Sequence, residues 1–227
     1  MKRIQIKTKG DKTMMKEFKE LKNLFENATY TGELFEATDG RLASALSEDS
    51  VYEWAEGVLD GSDFTVGEQP PIRYWYDMVI KKGDKMFPIN IKITGGRTAD
   101  NVSSKEGLFY ALTGLDPKKS SINTWEKYIN AITANLNPDS ETDYYFLVVF
   151  KETNEILFTS LKNIQTLTPN GNNLPFQCNW GKNKTMTTRD EKTQVKYLQK
   201  VFLQSYIKRA PGLEYLMSQW GNLLDSE

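Results

Sequence analysis

Histidine is absent from all 227 residues, and cysteine occurs once, at Cys178. Without histidine there is no Ser-His-Asp triad, no imidazole general base, no histidine-ligated metal and no HNH-type nuclease centre. One cysteine excludes an internal disulfide and any cysteine-ligated zinc cluster. No apolar run reaches the length of a membrane span, and the first residues lack the apolar core of a signal peptide. A cytoplasmic protein with no membrane partner is expected. Repeats, low-complexity tracts and long linkers are missing too, so residues 1–227 are predicted to form a single domain. Catalysis, if any, must rest on carboxylates, lysine, tyrosine, amides and a bound metal.

The chain carries almost no net charge (−1), which argues against a generic nucleic-acid coat protein. The charge is unevenly spread. Residues 26–70 hold eleven acids and one base, Arg41. Residues 181–210 hold eight bases and two acids, and the first 25 residues hold eight bases and three acids. Such a distribution suits a protein that binds DNA at one face only, and equally suits helices that solvate their own charges. The chain is 39% hydrophobic and 12% aromatic, enough for a core.

Met14, Met15, Phe18, Leu21, Leu24 and Phe25 recur at helical spacing over 13–27, predicting an amphipathic helix that packs on the core or serves a dimer. The first 30 residues are therefore a candidate dimerisation arm. Residues 31–47 read as loop and short turn. Ser50 and Glu53 form a capping-box pattern that starts a helix over 50–59, ending at Gly61. A loop over 62–71 leads to strands at 72–82 and 86–94. Helices are expected at 104–113 and 122–135. A buried strand is expected at 143–150 with a partner at 155–160, a turn at 168–174, a helix at 190–209 and a last short helix at 211–224. Strands framed by helices give a mixed sheet in an α/β or α+β domain.

The chemistry concentrates in YWYDMVIKKGDKMFPINIKIT, residues 74–94. Two apolar runs flank a turn rich in Lys, Gly and Asp, the pattern of a β-hairpin. Asp77 lies on the first strand. On the second, alternation puts Asn90 and Lys92 on one side. A carboxylate, a neutral oxygen and an ammonium then converge. Magnesium prefers oxygen ligands. A lysine beside it can orient or deprotonate a water and offset charge on a phosphate. The plainer alternative is a hairpin with a surface lysine and an edge asparagine.

Asp77, twelve residues, then Asn90-Ile91-Lys92 resembles the PD-(D/E)xK motif of the type II restriction endonucleases. Asn90 departs from it, standing where most members carry a second acid. The order of elements over about 45–210 resembles the blunt-cutting branch of those enzymes. An acidic helix precedes the first strand, a polar loop follows the lysine, a core hairpin comes next, and a polar segment leads into a long basic helix. The resemblance implies a restriction-endonuclease-like core with a mixed central sheet flanked by helices. It implies a homodimer that uses Mg²⁺ and no nucleotide cofactor to cut double-stranded DNA at a palindrome, leaving blunt ends. Asp77, Asn90 and the carbonyl of Ile91 would hold the metal, and Lys92 would orient the water.

A further glutamate is expected from the preceding helix, Glu53 ahead of Glu56, although Glu53 also serves as partner of Ser50 in the capping box. DNA contacts are expected from Arg97, Asp100, Asn101, Ser103, Ser104 and Lys105. A second set is Gln177, Asn179, Trp180, Lys182, Asn183 and Lys184, with Trp180 stacking on a base or wedging a step. Asn and Gln pair with adenine, so the amide-rich set predicts an A·T-rich site. Alternatives are a structure-specific nuclease of the same superfamily and a DNA-binding protein whose site has lost its catalysis.

Overall fold

The computed structural model describes residues 16–35, 40–71, 74–102, 105–173 and 175–210, the backbone alone over 40–46. Helices α1 (Lys16–Glu26) and α2 (Gly40–Leu59) come first. Strands β1 (Thr65–Val66), β2 (Met78–Lys82), β3 (Lys85–Thr94) and β4 (Asp100–Val102) follow. Then come α3 (Lys105–Thr113), α4 (Trp125–Asn135), β5 (Tyr145–Phe150), β6 (Glu155–Ser160), β7 (Thr168–Pro169), β8 (Phe176–Cys178) and α5 (Glu191–Arg209). The protein is a mixed α/β structure. A five-stranded sheet runs in the order β1-β2-β3-β5-β6, and a three-stranded sheet in the order β4-β8-β7.

The continuous apolar run YFLVVF becomes β5, buried along its whole length, as expected of a strand covered on both faces. It pairs parallel with β3 and antiparallel with β6. Phe87, Ile89 and Ile91 of β3 join Tyr145, Leu147 and Val149 of β5 beneath α1 and α2. On the opposite face, Phe146, Val148 and Phe150 pack against α3, α4 and α5. Asn90, Lys92 and Thr94 are in register with those three residues, so they look into the second face. Each large side chain buried this way contributes roughly 1.5–3 kcal/mol.

The apolar stripe of α1 is spent inside the chain. Phe18 and Phe25 pack on Phe158 at 5.7 and 5.3 Å between ring centroids. Lys16 and Glu20 pair at i,i+4, and Lys22 and Glu26 pair likewise while bonding the Phe158 carbonyl and N–H of β6. That stripe is therefore not a surface offered to a second copy. Residues 1–15 and the expected helix over 211–224 lie outside the described residues.

Helix α2 corrects the expectation of a helix over 50–59. It begins at Gly40, so Ser50 and Glu53 are interior helical positions and form no capping box. Ser50 Oγ instead accepts from the Tyr30 hydroxyl at 3.1 Å. The stretch RLASALSED has ordinary helix formers that let the helix start early, and Val51, Ala55 and Leu59 further along it pack into the core. The later helices start where side-chain caps are available. Thr124 accepts from Lys127 N ahead of α4, and Asp190 accepts from Thr193 N at 2.9 Å ahead of α5. No described helix is long and apolar enough to cross a membrane.

Candidate active site

Asp77 sits at the mouth of the β2–β3 hairpin, one residue before β2. Two hydrogen bonds fasten it to β3. Its N–H donates to the Ile89 carbonyl at 2.9 Å, and its Oδ2 accepts from the Ile91 N–H at 2.8 Å. The carboxylate is thereby held beside Asn90-Ile91-Lys92, as the motif spacing predicts. Asn90 is 5% exposed. The Tyr144 hydroxyl is hydrogen-bonded to Asn90 and donates to the Trp75 carbonyl at 2.7 Å. Tyr144 was not singled out from the sequence, where it reads as one apolar member of a buried strand. Gly107 lets α3 pass close to it, since a Cβ there would lie 2.6 Å from the Tyr144 ring.

The electrostatics tie three elements together. Burial, then the carboxylate of Glu48, pushes Asp77 up from 3.8 to about 6, against the pull of the Ile91 N–H and Lys92. Burial lowers the proton affinity of Lys92, while Asp77, Asp100 and Glu48 work in the opposite direction. An acid and a base displaced oppositely in one partly buried place are the pattern that catalytic groups share.

Glu48 is the acidic partner that the sequence reading missed. Glu53 and Glu56 are exposed, and Glu53 stands about 140° around the helix from Glu48 at about 100° per residue. The helical phase would have pointed to Glu48 had the true start of α2 been legible.

Among the described residues, no three histidine, cysteine or carboxylate side chains gather as a cation site. The donor set nevertheless fits a hard divalent cation that shares its charge with a phosphate. The Glu48 carboxylate adds to the cost of ionising Asp77, which a cation would reverse. Asn90 and the Ile91 carbonyl add neutral oxygens, the ligand type magnesium accepts.

The two polar segments expected to touch DNA meet each other. Asn101 of β4 pairs with Gln177 of β8, and Asn101 Oδ1 accepts from Gln177 Nε2 at 3.2 Å and from Asn170 Nδ2 at 3.0 Å. Asn179 Nδ2 donates to the Arg97 carbonyl at 3.0 Å. Gly181 sits so close to Gly96 that a Cβ on it would lie 2.5 Å from the Gly96 carbonyl oxygen. The turn expected over 168–174 contributes β7 and Asn170 to the same small sheet.

Several expected contacts are corrected. Trp180 is 0% exposed and packs on Phe146 at 5.0 Å, so it offers no surface to a base. Asn183 is 3% exposed, and its amide bonds the Thr166 N–H at 2.8 Å and the Thr166 carbonyl at 3.0 Å. Lys105 Nζ donates to the Ile122 carbonyl at 3.3 Å and lies over the Trp125 ring, tying α3 to α4. Arg97, Lys182 and Lys184 are exposed. Arg97 pairs with Glu152 at 3.0 Å and Lys184 with Glu155 at 2.6 Å. Surface pairs of this kind are worth little and yield readily to a phosphate. Ser103 and Ser104 lie outside the described residues. Cys178 is buried, with its thiol pushed up to about 12, and takes no part.

No family model matches the chain, and no curated protein is significantly similar to it.

Proposed function

We propose that the protein is a type II restriction endonuclease that hydrolyses double-stranded DNA with Mg²⁺. The observation that carries this reading is Asp77, fastened through its Oδ2 to the Ile91 N–H beside Asn90 and Lys92, with Asp77 and Lys92 displaced oppositely and the Glu48 carboxylate adding to the rise at Asp77. The sheet order supports a restriction-endonuclease-like core. An antiparallel hairpin carries the motif, a parallel strand flanks it, and α3 and α4 lie in the crossover between them.

Asp77, Asn90, the Ile91 carbonyl and Glu48 would hold the ion. Once bound, it supplies polarisation of the scissile phosphate and a more acidic water. Lys92 holds its ammonium where burial resists charge, ready to orient the attacking water and neutralise the growing charge on the phosphorus oxygens. Ile91 fixes the direction of Asp77 through its N–H. The amide face around Asn101, Gln177 and Asn179 would read base edges, which favours adenine and an A·T-rich palindrome. Cutting both strands of a palindrome at equivalent positions requires a two-fold homodimer, acting here to leave blunt ends.

Plasmid and genomic DNA incubated with the protein and Mg²⁺ should give discrete fragments, with ends that define one palindrome. A smear, or cleavage confined to branched DNA, would favour a structure-specific nuclease. Retarded but intact DNA would favour a binding protein with a degenerate site. That outcome has its own motivation in Asn90, a neutral side chain already bonded to Tyr144.

Glu48→Gln is expected to slow cleavage roughly 10- to 100-fold, the usual cost of losing a group that supports a metal centre. Glu53→Gln, at an exposed position, should stay within about twofold of the parent. Equal rates for the two variants would remove Glu48 from the site.

A further inference from the structure

Asn170 was not singled out from the sequence, yet it decides how the amide face is turned. In β4 the neighbours of exposed Asn101 turn inward. Val102 is buried, and Asp100, expected to touch DNA, keeps its Oδ2 buried. Across the small sheet, Asn101 stands beside Gln177, and Gln177 beside Thr168, so the three form one polar row. The hydrogen bonds of this row run in one direction. The Asn172 N–H can only donate, so the Asn170 atom that faces it at 3.1 Å is Oδ1. Asn170 Nδ2 is then the atom that faces Asn101, at 3.0 Å, and Asn101 must answer with Oδ1. Gln177 in turn must approach that oxygen with Nε2, at 3.2 Å. These two N–H groups fill both lone pairs of Asn101 Oδ1. The turn that starts the chain of bonds is braced from behind. The Asn170 N–H donates to buried Ser205 Oγ at 3.0 Å, and a Cβ on Gly171 would lie 2.6 Å from the Lys208 carbonyl.

We infer that Asn170 is a positioning residue for base readout, and that it divides the amide face into two unlike readers. The inference rests on the DNA-binding part of the reading above. Bidentate recognition of adenine takes an acceptor and a donor from one amide. Asn101 has spent its acceptor, so it offers N–H groups alone. Those suit an acceptor edge, thymine O4 or guanine O6 and N7. Gln177 keeps Oε1 and one Nε2 hydrogen unbonded among the described residues, so Gln177 is the adenine reader. The amides are set before DNA arrives, and binding does not have to select their orientation. Asn170 acts through Asn101 and leaves the base edges to it.

The experiment selects random-sequence duplex DNA on the protein, with Ca²⁺ in place of Mg²⁺. Affinity is then measured for the selected site and for each single-base-pair change in it. Asn101→Ala should lose roughly fivefold discrimination or more at one base pair. Asn170→Ala should lose roughly two- to tenfold at that same pair, the worth of one hydrogen bond. The double variant should lose no more than Asn101→Ala, since the two residues act as one unit. Gln177→Ala should lose the preference for adenine at a base pair. A folded Asn170→Ala that discriminates as the parent does overturns the inference, and so does a loss that adds in full to that of Asn101→Ala. A uniform loss over all sequences overturns it too, because that marks lost structure or a lost phosphate contact. Should Asn170→Ala fail to fold, Asn170→Asp decides alone. It keeps the bond from the Asn172 N–H but cannot donate to Asn101, so the same pair should lose discrimination, and parental discrimination overturns the inference. A selected site that the wild type binds but leaves uncut in Mg²⁺ removes the catalytic reading without touching this inference, which the same affinities decide. A chain that selects no sequence overturns the inference.

Discussion

Lys92→Met should lose DNA cleavage by roughly 10²- to 10³-fold or more while melting at the parental temperature or above it. Methionine keeps the length and most of the volume of the side chain. It removes the ammonium, whose charged form burial disfavours at this position. A residue retained against the preference of its surroundings marks function more than stability. Asp77→Asn makes the complementary case. The amide oxygen can still accept from Ile91 N–H, so the hairpin keeps its anchor. Only the charge is lost. Because the carboxyl is raised from 3.8 to about 6, ionised Asp77 weakens the fold above that pH. The variant should therefore gain up to about 3 kcal/mol at pH 7 and above. The gain should shrink as pH falls from about 6 and vanish near 3.8, where aspartate is neutral in both states. Denaturant titrations in EDTA across this pH range measure it. Destabilisation of either variant at neutral pH, or undiminished cleavage, would contradict the assignment.

Trp180→Ala should cost about 3–5 kcal/mol of stability, the range for emptying a buried aromatic site. A native domain holds roughly 5–15 kcal/mol in all, so this variant should be partly unfolded at 37 °C. Trp180 is wholly buried and touches Phe146 of β5, at the junction of the small sheet with the main core. Its indole Nε1 has no hydrogen-bond partner among the described residues. Trp180→Phe should therefore lose no polar contact, and should cost much less, about 1–2 kcal/mol. DNA affinity of the folded Phe variant should match that of the parent. A specific loss of affinity with unchanged stability would return Trp180 to the DNA surface.

The hairpin, its turn and the facing of Asn90 with Lys92 were legible in residues 74–94. They depend on strand alternation, which is local. The first strand, however, expected over 72–82, begins at Met78, so Asp77 precedes it instead of lying on it. The long α5, expected over 190–209, was legible too from its helical periodicity. The start of α2 was not. Two glycines and a capping-box pattern suggested a loop ahead of Ser50, whereas the helix runs back to Gly40. That one misplacement moved the candidate glutamate from Glu48 to Glu53. In the segment 177–184, alternating exposure could not be told from composition alone. Asn, Lys and Trp all suit a DNA surface, but Trp180 and Asn183 turned out to serve the core.

By itself, the sequence determined the chemistry open to this protein. The lack of histidine and the single cysteine leave carboxylate, lysine and amide groups, and the spacing of Asp77, Asn90 and Lys92 places them about one hairpin. Tertiary structure decided which distant groups join them. Glu48 arrives from a helix about thirty residues upstream, and Tyr144 from the end of the loop ahead of β5. Periodicity fixes which way a side chain points from its own element. It carries no information on which other element will stand opposite, because that is settled by long-range burial of apolar faces.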